Sequence, residues 1–254
     1  MFLDITASDY DNFGQIYNDS WGLPYCQKIL PILEELLLQH LSPRAHILDL
    51  GCGTGQVVQQ LLIKGYQVTG LDASEGMLRY ARQNAPDGQF ILGDARLLKL
   101  PTTFDAVVST NAVLNHFLNL EELTGIFHNV YETLKEEGLF VFDMDMEEYY
   151  QSQRWQGAVV QGDIRDEYAW AFRGNYSPEN KIGQYQMTLF QLVEKTWRRS
   201  DSSWKVKAYT REEIQLALKS AGFVEISIGK TNSKLETPLN AGTIFFVARK
   251  SSKK

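Results

Sequence analysis

Two hydrophobic periods alternate along the chain. Short apolar runs at His46 to Leu50, Tyr66 to Leu71, Gln89 to Leu92, Phe104 to Ser109 and Gly138 to Phe142 have the length of buried strands. Between them, Gln56 to Lys64, Glu75 to Asn84 and Glu121 to Lys135 carry apolar residues three and four apart and predict helices, the second behind a candidate N-cap at Ser74. Residues 25–41 place Ile29, Ile32, Leu33, Leu36, Leu37 and Leu41 at helical spacing, with Pro31 acceptable only near a first turn or at a kink. Ser42-Pro43 ends that helix, and residues 93–103 predict a loop with one helical turn. Strands alternating with helices make βαβ units, hence a mostly parallel sheet covered on both faces.

From about 150 to 209 the period changes to two. Tyr168, Trp170 and Phe172 alternate with polar neighbours, as do Tyr185, Met187 and Leu189, then Trp204, Val206 and Ala208. Turn residues at Gly174-Asn175, Ser177-Pro178 and Arg199 to Ser203 separate these runs, so an inserted antiparallel sheet is expected. A helix over Thr210 to Ala221 and strands at Phe223 to Ile228 and Thr243 to Arg249 follow. The division expected is a core of 1–150 plus 208–250 with an inserted subdomain at 151–207, and a disordered tail over Lys250 to Lys254.

Composition narrows the partners. With 25 Lys and Arg against 31 Asp and Glu among 254 residues, the net charge of −6 argues against a broad nucleic-acid-binding surface, which needs clustered cations. No run approaches the roughly 18 apolar residues of a membrane helix. Asp4, Asp9 and Asp11 near the start are wrong for a secretory signal, and two cysteines make no disulfide framework, so a cytoplasmic protein is expected.

The candidate chemistry begins at Ile47-Leu-Asp-Leu-Gly-Cys-Gly-Thr-Gly55, between a strand and a helix. Gly51, Gly53 and Gly55 let the backbone turn sharply and approach a ligand. Asp72 ends the next strand, where a carboxylate can accept both hydroxyls of a ribose. The dinucleotide pattern would need a glycine at position 56, which is Gln56, and no phosphate-binding Walker loop is present, so a nicotinamide dehydrogenase is disfavoured. Asp49 is unsuited to a pyrophosphate and suits the ammonium of an amino-acid moiety.

On these residues the chain resembles the class I S-adenosylmethionine-dependent methyltransferases. LDLGCGTG is similar to that family's first motif and GLDASEGML to its second, while Gly93-Asp94-Ala95, Phe104 to Ser109 and Leu134 to Gly138 resemble later ones in order and spacing. Tyr209 to Ile214 and Ala221-Gly222-Phe223 resemble the helix and sixth strand. The resemblance implies a doubly wound α/β fold with a seven-stranded, mostly parallel sheet whose last strand, Thr243 to Arg249, is antiparallel. It implies S-adenosylmethionine as donor and S-adenosylhomocysteine as product, Asp72 on the ribose and Asp94 with Ala95 at the adenine. Asp49, Gly51, Cys52, Gly53 and Gly55 would form the donor loop, with Ala73, Met77 and Asn111 lining its pocket. The stretch from Tyr10 to Trp21 resembles a lid, in which Tyr17 points its hydroxyl at the methionine carboxylate and Trp21 packs nearby; anchoring a helix to the sheet is the plainer role.

Methyl transfer needs mainly positioning and exclusion of water, so a base leaves little trace. His116, just past the fourth strand, is the candidate base near neutral pH; capping the helix near Glu121 or packing beside the donor are the alternatives. Asn111 and Asn115 suit loop pins equally well. Asp143, Asp145, Glu147 and Glu148 read as a solvated loop, or else one of them faces a cationic substrate or a divalent metal. His40, His46 and His128 lack ligand spacing, so no metal is expected. The activity expected is methyl transfer to an N, O or C nucleophile of a small molecule by a monomer or homodimer. A tRNA or protein methyltransferase and a non-catalytic donor-binding protein are the alternatives.

Overall fold

The computed structural model describes residues 10–157, 161–229 and 242–252. Asp4 and Asp9 lie outside them, as do Lys253 and Lys254 of the expected tail.

The apolar runs become β1 (His46–Leu50), β2 (Gln67–Asp72), β3 (Gln89–Leu92), β4 (Phe104–Ser109) and β5 (Leu134–Asp145), all pairing in parallel. After β5 come β6 (Gln161–Ile164), β7 (Tyr168–Ser177), β8 (Ile182–Val193) and β9 (Thr196–Lys207), which make a separate antiparallel sheet in that order. The chain then returns to the first sheet with β10 (Phe223–Gly229) and β11 (Thr243–Lys250), giving the seven-strand order β10-β11-β5-β4-β1-β2-β3. β11 runs antiparallel to both neighbours. This is the fold class expected from the sequence.

Alternate residues of the central strands face opposite layers, as a pleated strand requires. Ile47, Ala106, Val108, Leu139 and Val141 pack against α1 (Leu23–Leu36), α2 (Gln56–Ile63) and α3 (Glu75–Asn84). Leu48, Val107, Phe140 and Phe142 pack against α4 (Leu120–Thr133) and α5 (Arg211–Ser220). The helix ends follow their caps: Ser74 accepts the Met77 amide, Asn119 the Glu121 amide, and Thr210 with Glu213 closes a capping box.

Four expectations need correcting. Gly174-Asn175 and Arg199 to Ser203, expected as turns, lie inside β7 and β9 and pair across the sheet. α1 starts at Leu23 with Pro24 in its first turn, which leaves Pro31 inside the helix; Pro31 is exposed, so its missing amide lies on the solvent side. β5 extends well beyond Gly138 to Phe142 at both ends: β11 pairs with it as far as Asp145, and Leu134 pairs with Phe104 of β4. Lys250 is no disordered tail residue: it ends β11, and its buried Nζ donates to the Tyr131 and Leu134 carbonyls at the end of α4.

The inner face of the second sheet, Tyr168, Trp170, Phe172, Met187, Leu189 and Trp204, clusters with Phe13 and Ile16 of an N-terminal arm. That arm holds a turn of α-helix at Gly14–Ile16 and a π-helical turn at Tyr17–Gly22 before α1. It lies directly on the start of α3, where a side chain at Gly14 would collide with the Gly76 backbone and one at Gly76 with Asp11.

Candidate active site

The carboxyl ends of β1, β2, β4 and the segment after β3 open into a cavity of about 1000 Å³, roofed by the arm and by β9. An open parallel sheet binds ligands at this edge, where strand order reverses. Its lining includes Asp49, Gly51, Cys52, Gly53, Asp72, Ala73, Met77, Asp94, Ala95, Asn111, Tyr17 and His116, so twelve of the residues singled out in the sequence meet on one surface.

Gly51, Gly53 and Gly55 all have positive φ, at +79°, +53° and +80°. Only the first two line the cavity. Gly55 instead precedes α2, and a side chain there would strike Ala81, so this glycine lets α2 and α3 approach. Gly53 donates its amide to Asp72 Oδ2 at 2.8 Å, and Ser74 donates to Oδ1 at 2.9 Å. Burial raises the Asp72 carboxyl above the usual range although these amides oppose the shift.

Asp49 is 2% exposed, and no described residue donates a hydrogen bond to its carboxylate. Burial, with the nearby charge of Asp72, pushes it up to about 7. A buried carboxylate without a donor is the complement of a cation. Cys52 is held as a thiol, its pKa driven up by burial and by Asp72 and Asp49, and it lies against Gly70. It packs and is no nucleophile.

Asp94 is forked by Arg96, accepting from Nε at 2.9 Å and Nη2 at 2.6 Å, and also takes the Arg96 amide. Burial works against its ionisation, but Arg96 holds it below the ordinary carboxylate range. Arg96 also reaches Glu122, closing that end of the cavity.

At the opposite end, Tyr10 Oη and His116 Nε2 are 2.9 Å apart. The Tyr10 ring lies 5.3 Å from Trp204 and 5.7 Å, edge-on, from His116. Burial lowers the His116 imidazole to about 4, only partly offset by the Lys205 backbone. Burial thus favours the neutral imidazole, the form that can accept the Tyr10 hydrogen bond or a proton. Nor does it cap α4, since Asn119 does so.

Tyr17 lies over Gly53, and Asn111 Nδ2 donates to its hydroxyl at 3.0 Å. Trp21 does not reach the cavity; its ring turns away, 4.9 Å from Phe13 and 5.1 Å from Trp170, and ties the arm to the second sheet. Asn115 is the loop pin, donating to the Asp145 and Lys207 carbonyls and accepting the Asp145 amide.

Of the four acids expected in a solvated loop, Asp143 and Asp145 lie within β5, and only Glu148 is exposed. Asp143 and Asp145 are 1% and 6% exposed, and burial raises them to about 6 and about 7. Asp143 accepts the amides of Asn111 and Ala112 and the Tyr25 hydroxyl, while Glu147 accepts the Tyr176 hydroxyl. Among the described residues, no three His, Cys, Asp or Glu side chains gather as metal ligands. Tyr10, Tyr25 and Trp204 line the cavity without having been singled out as ligand-contacting; their partners lie far away in sequence, and no local pattern marks them.

A family model described as a methyltransferase domain matches residues 47–138. YqeM of Bacillus subtilis (strain 168), named as a methyltransferase, is 28% identical over 248 residues, covering 95% of this chain and 97% of its own. GWCH70_2453 of Geobacillus sp. (strain WCH70), named likewise, is 30% identical over 210 residues, covering 80% and 84%. The dTDP-3-amino-3,4,6-trideoxy-alpha-D-glucopyranose N,N-dimethyltransferase of Streptomyces venezuelae is 32% identical over 108 residues, 42% of this chain and 46% of its own. Two solved structures share the fold at 22% identity. An S-adenosylmethionine-dependent methyltransferase from Clostridium acetobutylicum ATCC 824 has a TM-score of 0.72 and covers 96% of this chain and 99% of its own. S-adenosylmethionine-bound CalS10, an amino pentose methyltransferase from Micromonospora echinaspora, has a TM-score of 0.66 and covers 99% of both.

Proposed function

Because the chain belongs to the class I S-adenosylmethionine-dependent methyltransferases, we propose that it methylates an N, O or C nucleophile of a small molecule held between the glycine loop and the Tyr10–His116 pair. The observation that carries this reading is the shape and polarity of one cavity: buried carboxylates at one end, an aromatic and neutral-imidazole wall at the other. Small molecules are also what the named sugar relatives act on.

The residues present suit the donor. Asp49, buried without a donor of its own, would face its ammonium, and Asp72 would take the ribose hydroxyls while keeping the Gly53 amide. Gly51 and Gly53 would let the chain pass close to it, Met77 and Ala73 would border the nucleoside, and Asp94 and Ala95 would flank the nucleobase, all of them lining the cavity. Tyr17 and Asn111 would close over the amino-acid end. When bound, the donor supplies an electrophilic methyl carbon on a sulfonium, whose displacement needs an aligned nucleophile and little else.

Tyr10, held by His116, would orient that nucleophile, and Trp204 with Phe117 would exclude water from it. The proton lost by the acceptor would pass to solvent, because burial disfavours an imidazolium at His116. We further place the protein in the cytoplasm as a monomer or homodimer with no nucleic-acid partner. Two free cysteines, the charge of −6 and the lack, among described residues, of a helix long and apolar enough to cross a membrane support that placement.

The test is calorimetric titration with S-adenosylhomocysteine beside NADH and ATP, followed by a screen of amines, alcohols and carboxylic acids with S-adenosylmethionine. Selective binding of the homocysteine nucleoside, then turnover of one acceptor class, is the expected result. Preference for NADH would sink the site assignment. Binding without turnover of any small acceptor would sink the acceptor reading.

A further inference from the structure

We propose that Asp143 is a positioning residue: it does not meet the donor, but it fixes the loop after β4 and the N-terminal arm in the arrangement that binds the donor. Asn111 and Ala112 are consecutive non-glycine residues in the left-handed region, at φ +70° and +56°. Such a pair is costly for residues with a Cβ and persists only where its surroundings hold it. Consecutive amides in a turn of this kind converge and form a small concavity that accepts an anion.

Asp143 supplies that anion from the neighbouring strand. Its Oδ1 accepts the Ala112 amide at 2.7 Å and its Oδ2 the Asn111 amide at 3.1 Å. Oδ2 also accepts the Tyr25 hydroxyl at 3.1 Å, which brings α1 onto the same carboxylate. Both oxygens of this 1% exposed side chain are taken by these three donors, and it is absent from the cavity wall that Asp49 lines. Two of the three residues it holds are on that wall, Asn111 and Tyr25, and through its 3.0 Å bond Asn111 in turn holds Tyr17 over Gly53. One carboxylate on β5 thus sets the backbone of the β4 loop, the first turn of α1 at Tyr25 and, through Asn111, the arm at Tyr17.

The proposal rests on the donor-site reading above, so the test begins with the unaltered protein and S-adenosylhomocysteine. Asp143→Asn, which puts an NH2 group against one of the amides, should still melt cooperatively but bind S-adenosylhomocysteine at least tenfold more weakly. Ala112→Gly removes the left-handed penalty. It should recover threefold or more of the lost affinity in the Asp143→Asn background, while changing that of the unaltered protein less than twofold. A purely structural loss would not be rescued this way. Tyr25→Phe, which cuts only one of the three bonds, should weaken binding a few-fold with the fold intact, and it serves as the test if Asp143→Asn does not fold. Wild-type affinity in Asp143→Asn, or no rescue by Ala112→Gly, overturns the proposal alone. If Asp143→Asn does not fold, wild-type affinity in Tyr25→Phe does so. Failure of the unaltered protein to bind overturns the donor reading, and this proposal with it.

Discussion

Gly53 and Asp72 are joined by a 2.8 Å hydrogen bond from the amide of one to Oδ2 of the other, which ties the glycine loop to the end of the adjacent strand. The same carboxylate is the proposed ribose acceptor, so it serves loop and ligand together. Asp72→Ala should therefore weaken S-adenosylhomocysteine binding by about 30-fold or more, matching the lower end of the roughly 2 to 5 kcal/mol lost when one partner of a buried charged pair is truncated. Titration calorimetry measures this directly, and unchanged affinity would remove Asp72 from the site.

Asp49 makes donor-free stability depend on pH. Its folded pKa of about 7 lies above that of an aspartate in an unfolded chain, about 3.9, so the folded state keeps a proton that the unfolded state has lost. Stability from this group is full below pH 4 and declines as pH rises through 7. Asp145, at about 7, acts in the same sense, whereas His116, at about 4, gains stability as pH rises from 4 to 6.5. Above pH 6.5 the acids dominate. The Tm of the donor-free protein should fall between pH 6.5 and 8, and Asp49→Asn should flatten the decline. An identical slope in the variant, measured by scanning calorimetry, would show that Asp49 is not ionising in this range.

Tyr10→Phe tests the acceptor end. It removes the hydrogen bond to His116 but leaves the ring against Trp204. We expect kcat/KM for the acceptor to drop by about tenfold, near the upper end of what one hydrogen bond is worth, with S-adenosylhomocysteine affinity within twofold of wild type. An equal loss in both would place Tyr10 at the donor instead.

Trp170→Ala tests the union of arm and second sheet. Trp170 is 7% exposed and meets Trp21 edge-on at 5.1 Å. Truncating so large a buried ring costs about 3 to 5 kcal/mol, to be seen in denaturant unfolding. Because the arm also carries Tyr17, donor affinity should fall as well. Full donor affinity in a destabilised variant would mean that the arm is held by its other contacts.

Much of this was legible because it is local. Strand and helix periods, the Ser74 and Thr210 caps, the glycine loop and Asp72 are each written in a handful of neighbouring residues. What escaped depends on residues far apart in sequence. Tyr10 meets His116 across 106 positions and Tyr25 meets Asp143 across 118. Trp21 turns to Trp170 rather than to the cavity, and Lys250, in a polar tail by composition, is drawn inward by the Tyr131 and Leu134 carbonyls where α4 passes into β5. Desolvation escaped too: residue type suggests a near-neutral histidine and solvated acids, and only burial reverses both.

The position of β11 between β10 and β5 bears on how the chain is made. β5 is complete about 100 residues before β11 is reached, which at roughly 5 to 20 residues per second leaves its open edge on a nascent chain for about 5 to 20 s. During that interval the Leu139 to Asp145 backbone is a template for any other strand, and prematurely ended chains carry it permanently. Overproduction in a host short of chaperones should therefore fail through aggregation of incomplete chains, a vulnerability that belongs to synthesis rather than to the finished molecule.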